Sequence, residues 1–425
     1  MSPDEVTRDA AWAQQNAEWR EPEEALSLWQ GAAEVDPRLF AYTVSGDWWE
    51  ALAATGRTLL VSREYEHLLL ALTVTSGGPQ ISFIPLPHPS GVAVDEHRRT
   101  VYVASTRNPN QIFDLQPVNG AVPQGNVADE CCVEHPLVPV RSRFLPGSTY
   151  LHDLGLIDGV LHANAVGQNA IISLQGFDEP RVVWWPAALD RPDGPLLDRN
   201  YLQLNSIAPG SSLVSSFFSA STDRVSTRRP GHRNFAVDQR GVIFSGDTRE
   251  PVVRGLTRPH SARFVRDHLW VDNSGYGEVG VVDSGRFSPV VRLPGWTRGL
   301  HSAGHVAFVG TSQVIPRFRH YAPGLDLETS ICGLHAIDVQ RGTLLGSMTW
   351  PMGNQIFAID SVPSTWQTGF PWPAGKQRSS SRKRVKDLFY AYRVTGGAHD
   401  CDAGKGVPKF DTLARLPDRT PNANG

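Results

Sequence analysis

One pattern recurs along the middle of the chain: a short apolar strand, a turn, a second apolar strand, a cluster of Asn, Ser, Thr or Gly, and a third strand. It is read in SGVAVDEHRRTVYVASTRNPNQIFDL from Ser90 and in HDLGLIDGVLHANAVGQNAIISL from His152. A divergent copy starts at Asn205 with NSIAPGSSLVSSFFSAS and resumes at GVIFSGD. HSARFVRDHLWVDNSGYGEVGVVD follows from His260, and RGLHSAGHVAFVGTSQ from Arg298, resuming at GLHAIDVQRGTLLGSMTW. A fourth strand, often ending in Pro, completes most copies. Four strands per unit, at a period of roughly 40 to 60 residues with insertions on one rim, predicts a β-propeller.

The two ends of this region complement each other. IFAIDSVP, residues 356–363, matches the innermost strand of a unit with nothing after it. LLVSREYEHLLLALTVTSGGPQISFIPLP, from Leu59, matches outer strands that lack an inner one. Pairing them makes a sixth blade and removes two exposed sheet edges. The fold class is therefore all-β: a six-bladed propeller closed by its own N- and C-terminal strands, with a short α-helical N-terminal extension.

Composition agrees. Of 425 residues, 39 are Gly and 32 Pro, the punctuation of many short strands. Charged residues at 20% and a formal net charge of -3 describe a folded chain without overall attraction to nucleic acid. The first residues show no basic-then-apolar leader. No run of about eighteen apolar residues is present to span a membrane. Four cysteines, with Cys131 and Cys132 adjacent and Cys332 and Cys401 far away, form no CxxC pair. A reduced, cytoplasmic setting is expected.

Three regions follow: a helical extension over 1–46, the propeller over 47–373, and a tail over 374–425. In the extension, Trp12, Trp19, Ala25, Leu28, Trp29, Ala32 and Val35 recur at helical spacing. The segment resembles one tetratricopeptide-type helix pair. Such a unit cannot bury its own apolar face, so it packs on the propeller or docks a partner protein through it. The tail carries the basic, serine-rich run KQRSSSRKRVK, which reads as flexible.

Residues from about Asp47 to Val362 resemble a bacterial family of six-bladed propellers carrying a domain of unknown function. The resemblance rests on LLVSREYEHLLLALTV, SGVAVD, LHDLG, LNSIA, RPHSAR, DNSGYGEVGVVD, LPGWTRGL, FVGTS, CGLHAIDV and IFAID, in that order. It implies the fold and no particular reaction. Insertions at 109–140 and 217–240 depart from its pattern.

In a propeller the residues opening the innermost strands crowd one mouth of the central channel. Here they are Ser90, His152, Asn205, His260, Arg298 and, in the closing strand, Gln355. Ser261 and His301 stand beside them. Arg107, Asn164, Asn273 and Glu278 come from the polar clusters that end the following strands. Such residues are ordinarily turn formers, and a lone histidine is ordinarily structural. Their recurrence at one position of the repeat points to a site.

Two chemistries fit. His152, His260 and His301 could hold a divalent metal with one open position, although no local motif sets their spacing. Without a metal, His152 and His260 would exchange protons near neutral pH, with Arg298 holding an anionic group and Glu278 as a second acid-base residue. Arg107, Asn164, Asn205, Ser261, Asn273 and Gln355 would then bind the substrate. GxSxG, GxxxxGK[ST] and HExxH motifs are absent, and SGYGEVG sits between strands with no helix N-terminus for a phosphate. The sequence thus predicts a propeller that binds a small polar or anionic molecule at the channel mouth, with lyase, epimerase or hydrolase chemistry there. The competing reading is a non-catalytic scaffold for a partner protein.

Overall fold

The computed structural model describes residues 32, 35–107, 110–118, 135–145, 149–175, 180–226 and 228–374. Twenty-six strands form six sheets. Four blades are built from consecutive strands. They are β5–β8 (Pro89–Asp95, Thr100–Ser105, Gln111–Pro117, Leu137–Phe144) and β9–β12 (Leu151–Ile157, Val160–Ala165, Ala170–Ser173, Arg181–Trp184). Next come β13–β16 (Leu204–Ala208, Phe217–Ala220, Gly241–Ser245, Pro251–Leu256) and β17–β20 (Pro259–Val265, His268–Asn273, Glu278–Asp283, Arg286–Arg292). A fifth blade runs β21–β24 (Trp296–Ala303, Val306–Ser312, Cys332–Asp338, Thr343–Trp350), with β1 (Thr43–Gly46) added outside β24.

The sixth blade closes the ring as the sequence predicts. β25 (Ala358–Pro363) is its inner strand and pairs antiparallel with β2 (Arg57–Arg63), with Leu60 opposite Asp360. β3 (Leu68–Thr75), β4 (Gly78–Pro85) and the two-residue β26 (Trp372–Pro373) follow outward. The six inner strands touch in one circle, β25–β5–β9–β13–β17–β21 and back to β25.

Six apolar clusters fill the gaps between neighbouring blades. One joins Leu59, Leu70 and Leu72 of the closing blade to Phe308, Leu334 and Met348 of the fifth. Its cap is α1 (Trp48–Ala54), where strands are expected from Asp47 onward. Trp48, Ala51 and Leu52 fall at i, i+3 and i+4, so WWEALAA buries one helical face on that cluster. β1 likewise lies inside the span expected to be helical. The helix pair, except Ala32, and the tail after 374 lie outside the described residues, as does any partner surface they carry. Among the described residues no helix is long and apolar enough to cross a membrane.

Inner strands approach closely only where a side chain is missing. A Cβ on Gly91 of β5 would stand 2.6 Å from both Asp153 Cα and the Leu154 nitrogen of β9. Both obstacles are backbone and cannot rotate away. Gly91→Ala is expected to cost about 1–3 kcal/mol, the usual penalty of forced overpacking. Urea unfolding measures it, and an unchanged midpoint would contradict this packing.

Candidate functional site

Backbone geometry aims the residues at the channel mouth. His88, Tyr150, Gln203 and Arg258 precede β5, β9, β13 and β17 and have positive φ values of 41°, 52°, 52° and 54°. Non-glycine residues seldom enter that region. Just inside these strands, and in β21, the register to the second strand slips. Bulges of this kind re-aim side chains. One set then turns sideways to clasp the next blade. The Ile207 amide donates to Asp153 Oδ2 at 2.9 Å, the Ala262 amide to Ser206 Oγ at 2.8 Å, and the Gly299 amide to Ser261 Oγ at 2.7 Å.

The residues one place earlier, His152, Asn205 and His260, converge. Asn205 lies beside the His152 ring, and the two imidazoles are within electrostatic reach of each other. The clasp also corrects the expected ring. Because Gly299 takes the place of Ala262, Arg298 corresponds to Ser261, and Thr297 is the true counterpart of His260. Thr297 donates to the Glu278 carbonyl at 3.2 Å. Ser90 has a structural role, donating to the Leu151 carbonyl at 2.9 Å.

Arg298 reaches the mouth all the same. Its guanidinium lies 3.3 Å over the Phe357 ring. Gln355, with its amide turned to suit both neighbours, accepts from Arg298 Nη1 at 2.9 Å and donates to Glu64 Oε2 at 2.8 Å. Thr106 donates to the other Glu64 oxygen, and half-exposed Arg107 stands 3.9 Å from it while lying 5.9 Å over Tyr150. Glu64 therefore faces its arginines through an amide and across a gap. Burial raises its carboxyl above the usual range, with Arg298 and Arg107 opposing. Arg298 Nη2, buried, has no hydrogen-bond partner among the described residues.

Arg258 forms the opposite wall. It lies 4.2 Å over Tyr321 and donates from Nη1 to Gln203 at 3.0 Å and Ser221 at 3.1 Å. Its Nε has no partner among the described residues. Only 3% of this residue is exposed, and the ionisable groups that shift it are Tyr321, Tyr150 and Arg298, none a carboxylate. Burial brings the guanidinium down to about 10.

Both histidines lie within electrostatic reach of both arginines. Burial, then Arg298 and Arg258, push both imidazoles well below their ordinary value, so both are neutral at physiological pH. His260 Nδ1 lies 2.8 Å from the Arg258 carbonyl and 3.0 Å from Ser274 Oγ. His152 Nδ1 and Asn205 Oδ1 have no partner among the described residues.

Other expected ligand-binding groups serve the backbone. Asn164 Oδ1 accepts the amides of His152 and Asp153 while its Nδ2 donates to the Leu204 carbonyl at 3.1 Å. Asn273 accepts the Thr257 amide at 2.7 Å and donates to Glu278 at 2.9 Å. Glu278 thus sits one strand further out, holding a turn, and Glu64 is the carboxylate of the chamber. Ser261 is spent on Gly299.

The expected metal set is not assembled. His301 is three residues beyond Arg298 in β21, about 10 Å further along a strand at about 3.3 Å per residue. There its Nε2 lies 2.7 Å from Ser361 Oγ and its Nδ1 3.3 Å from Asp360 Oδ1. Burial brings it to about 3. Among the described residues no three His, Cys, Asp or Glu are placed to hold a metal ion.

Below the chamber the channel turns acidic. Arg263 grips Asp153 with two bonds, Nη1 to Oδ2 at 2.7 Å and Nη2 to Oδ1 at 2.8 Å. Asp272 is wholly buried beside Ser261, and burial holds its carboxyl well above the usual range. Burial likewise raises Asp360 to about 6, against the Ser361 amide, Arg263 and Arg57, with Asp153 adding to the rise.

That value fixes a pH dependence. Asp360 binds its proton more tightly folded than unfolded, so its charge destabilises fully above pH 6, and the penalty fades as pH falls toward 4. Asp360→Asn is expected to add up to about 3 kcal/mol at pH 8 and little near pH 4.5. Thermal melts at both values check this; equal gains would contradict it.

Glu64, Arg258, Tyr150, Phe357 and Tyr321 were not singled out by sequence. Glu64 lies in REYEHLLL and Arg258 in RPHSAR, so both sat within recognised segments but off the repeat's strand-opening position.

Residues 46–369 match the family model described as Domain of unknown function (DUF4915). No curated protein matches the sequence. Among solved structures the chain is similar to one in a nidogen/laminin complex, at 10% identity and TM-score 0.48, over 72% of this chain and 98% of that one. It is also similar to a gluconolactonase, XC5397 from Xanthomonas campestris, at 12% identity and TM-score 0.39, covering 63% and 77%. Virginiamycin B lyase from Staphylococcus aureus is similar at 10% identity and TM-score 0.37, covering 73% and 99%.

Proposed function

This chain belongs to the DUF4915 family, and we propose that it binds a small anionic molecule in the chamber at the mouth of its propeller channel. The observation that carries this reading is a pair of buried guanidinium groups, Arg258 and Arg298, each with an N–H lacking a partner among the described residues. A buried cation without a contacting anion costs several kcal/mol. An anionic group seated on either guanidinium removes that cost there and takes a charge-assisted hydrogen bond. His152 and Asn205 supply further unpartnered polar atoms. Arg107 at the rim attracts the anion inward, while the acidic channel below stops it from travelling on.

Turnover, in this reading, falls to His152. Burial, and after it the neighbouring guanidinium groups, keep its ring neutral in the free protein. An anion seated on Arg298 offsets their charge and raises the basicity of the imidazole, against its burial, so that His152 beside Asn205 takes a proton from the ligand. Proton transfer at a carbon or oxygen beside a carboxylate is the chemistry this supports.

Titration calorimetry with acetate, succinate, phosphate and sulfate tests binding. One site is expected, with affinity rising as pH falls from 8 to 6, because protons taken up by Glu64 or His152 make the chamber more positive. Each proton gained can tighten Kd by at most about tenfold per pH unit. Silence from every anion, in calorimetry and thermal shift alike, would overturn the reading and favour the scaffold.

A further inference from the structure

The chamber has two halves of the same construction. In one, Arg298 lies over Phe357, and His152 meets that ring edge-on at 5.4 Å. In the other, Arg258 lies over Tyr321, which touches Trp296 at 6.1 Å, and His260 meets Trp296 at 5.7 Å. Each half therefore holds one guanidinium flat against an aromatic platform, so neither can swing to join the other. Each also has one buried N–H without a partner among the described residues, Nη2 of Arg298 and Nε of Arg258. Both histidines feel both arginines, so the two halves are within electrostatic reach of each other.

The charges sum in the same direction. No carboxylate is among the groups that shift Arg258, and Arg298 feels Glu64, whose oxygens are already occupied by Thr106 and Gln355, and more weakly Asp153, which Arg263 already pairs. A single anionic group can satisfy one half only, and leaves the other guanidinium buried and uncompensated. Resting on the anion-site reading above, we propose that the ligand is a small dicarboxylate, with one carboxylate on Arg298 and the other on Arg258. Its connecting chain lies across the imidazoles of His152 and His260. The aromatic platforms and neutral rings suit a short carbon chain there, and Asn205 Oδ1 accepts from any hydroxyl or amino group on it.

The test compares malonate, succinate, glutarate and adipate with propionate, butyrate and inorganic phosphate by calorimetry on the full chain. At least one diacid should bind tenfold or more tighter than every monoacid and than phosphate. Arg258→Gln should remove the diacid's advantage, bringing the ratio of its affinity to the monoacid's close to one. If that variant fails to fold, Tyr321→Leu, which removes only the platform, should lower the same ratio. Equal binding of monoacids and diacids, phosphate as the tightest probe, or a ratio untouched in the variants would overturn the dicarboxylate assignment alone. Failure of every probe would instead overturn the anion site itself.

Discussion

Arg298→Gln is expected to weaken small-anion binding by about 30-fold to more than 1,000-fold, the cost of truncating one partner of a buried charge pair. The substitution keeps a polar side chain of similar reach, so Gln355 retains a neighbour. What disappears is the positive charge, together with the unpartnered Nη2 that faces the chamber. Glu64 also loses the strongest charge opposing its burial, so its carboxyl rises further and takes up a proton. Protonation limits the damage to folding, and a Glu64→Gln, Arg298→Gln pair should melt close to the parent while still failing to bind. An Arg298→Gln variant that binds within threefold of the parent would show that the anion sits elsewhere.

The second large effect lies deeper in the channel. Arg263→Leu strips Asp153 of a two-pronged partner and should cost about 3–5 kcal/mol, the usual result of leaving one member of a buried ion pair alone. In a propeller of this size the melting temperature should fall by roughly 4–7 °C. Asp153 would still accept the amides of Leu154 and Ile207, and those bonds hold the ionised form in place where it now lacks a counter-charge. Asp153→Asn in the same chain removes the stranded charge and keeps one acceptor oxygen. The double variant should therefore regain most of the loss. A double variant no more stable than Arg263→Leu would mean the pair does not carry the coupling its geometry implies.

These two residues mark how far sequence reading reaches. The propeller and its closure were legible because strand period and turn composition are local signals, and IFAIDSVP visibly lacked a blade to follow it. His152, Asn205 and His260 were legible for a related reason: they fill one position of the repeat. Arg298 looks like their equivalent in sequence, but Gly299 aligns with Ala262 in the clasp, so Arg298 stands one residue further along, at the place of Ser261. Arg258 enters the chamber from a positive-φ residue before the strand, a conformation that no local pattern announces. Glu64 comes from the β2–β3 turn of the one blade whose inner strand is supplied by the far end of the chain. His301 shows the converse error. Its residue type matched the mouth set, but a strand's rise carries it down the channel to Asp360.

Legibility also failed where polar side chains serve the backbone. Asn164, Ser261 and Asn273 recur at strand ends as binding residues would, and each proves committed to main-chain amides. Residue type and repeat position are shared by the two roles. What separates them is whether hydrogen-bonding capacity is left over, as it is at His152 and Asn205.

The anion site can be located directly by soaking crystals of the full chain in bromide and mapping its anomalous scattering. Bromide is small, singly charged and indifferent to the ligand's carbon skeleton, so it reports where the protein itself concentrates negative charge. An anomalous peak in the chamber, within hydrogen-bond distance of Arg298 Nη2 or Arg258 Nε, is the predicted result. A chamber without bromide, in crystals where exposed arginines on the rim have bound it, would contradict the account.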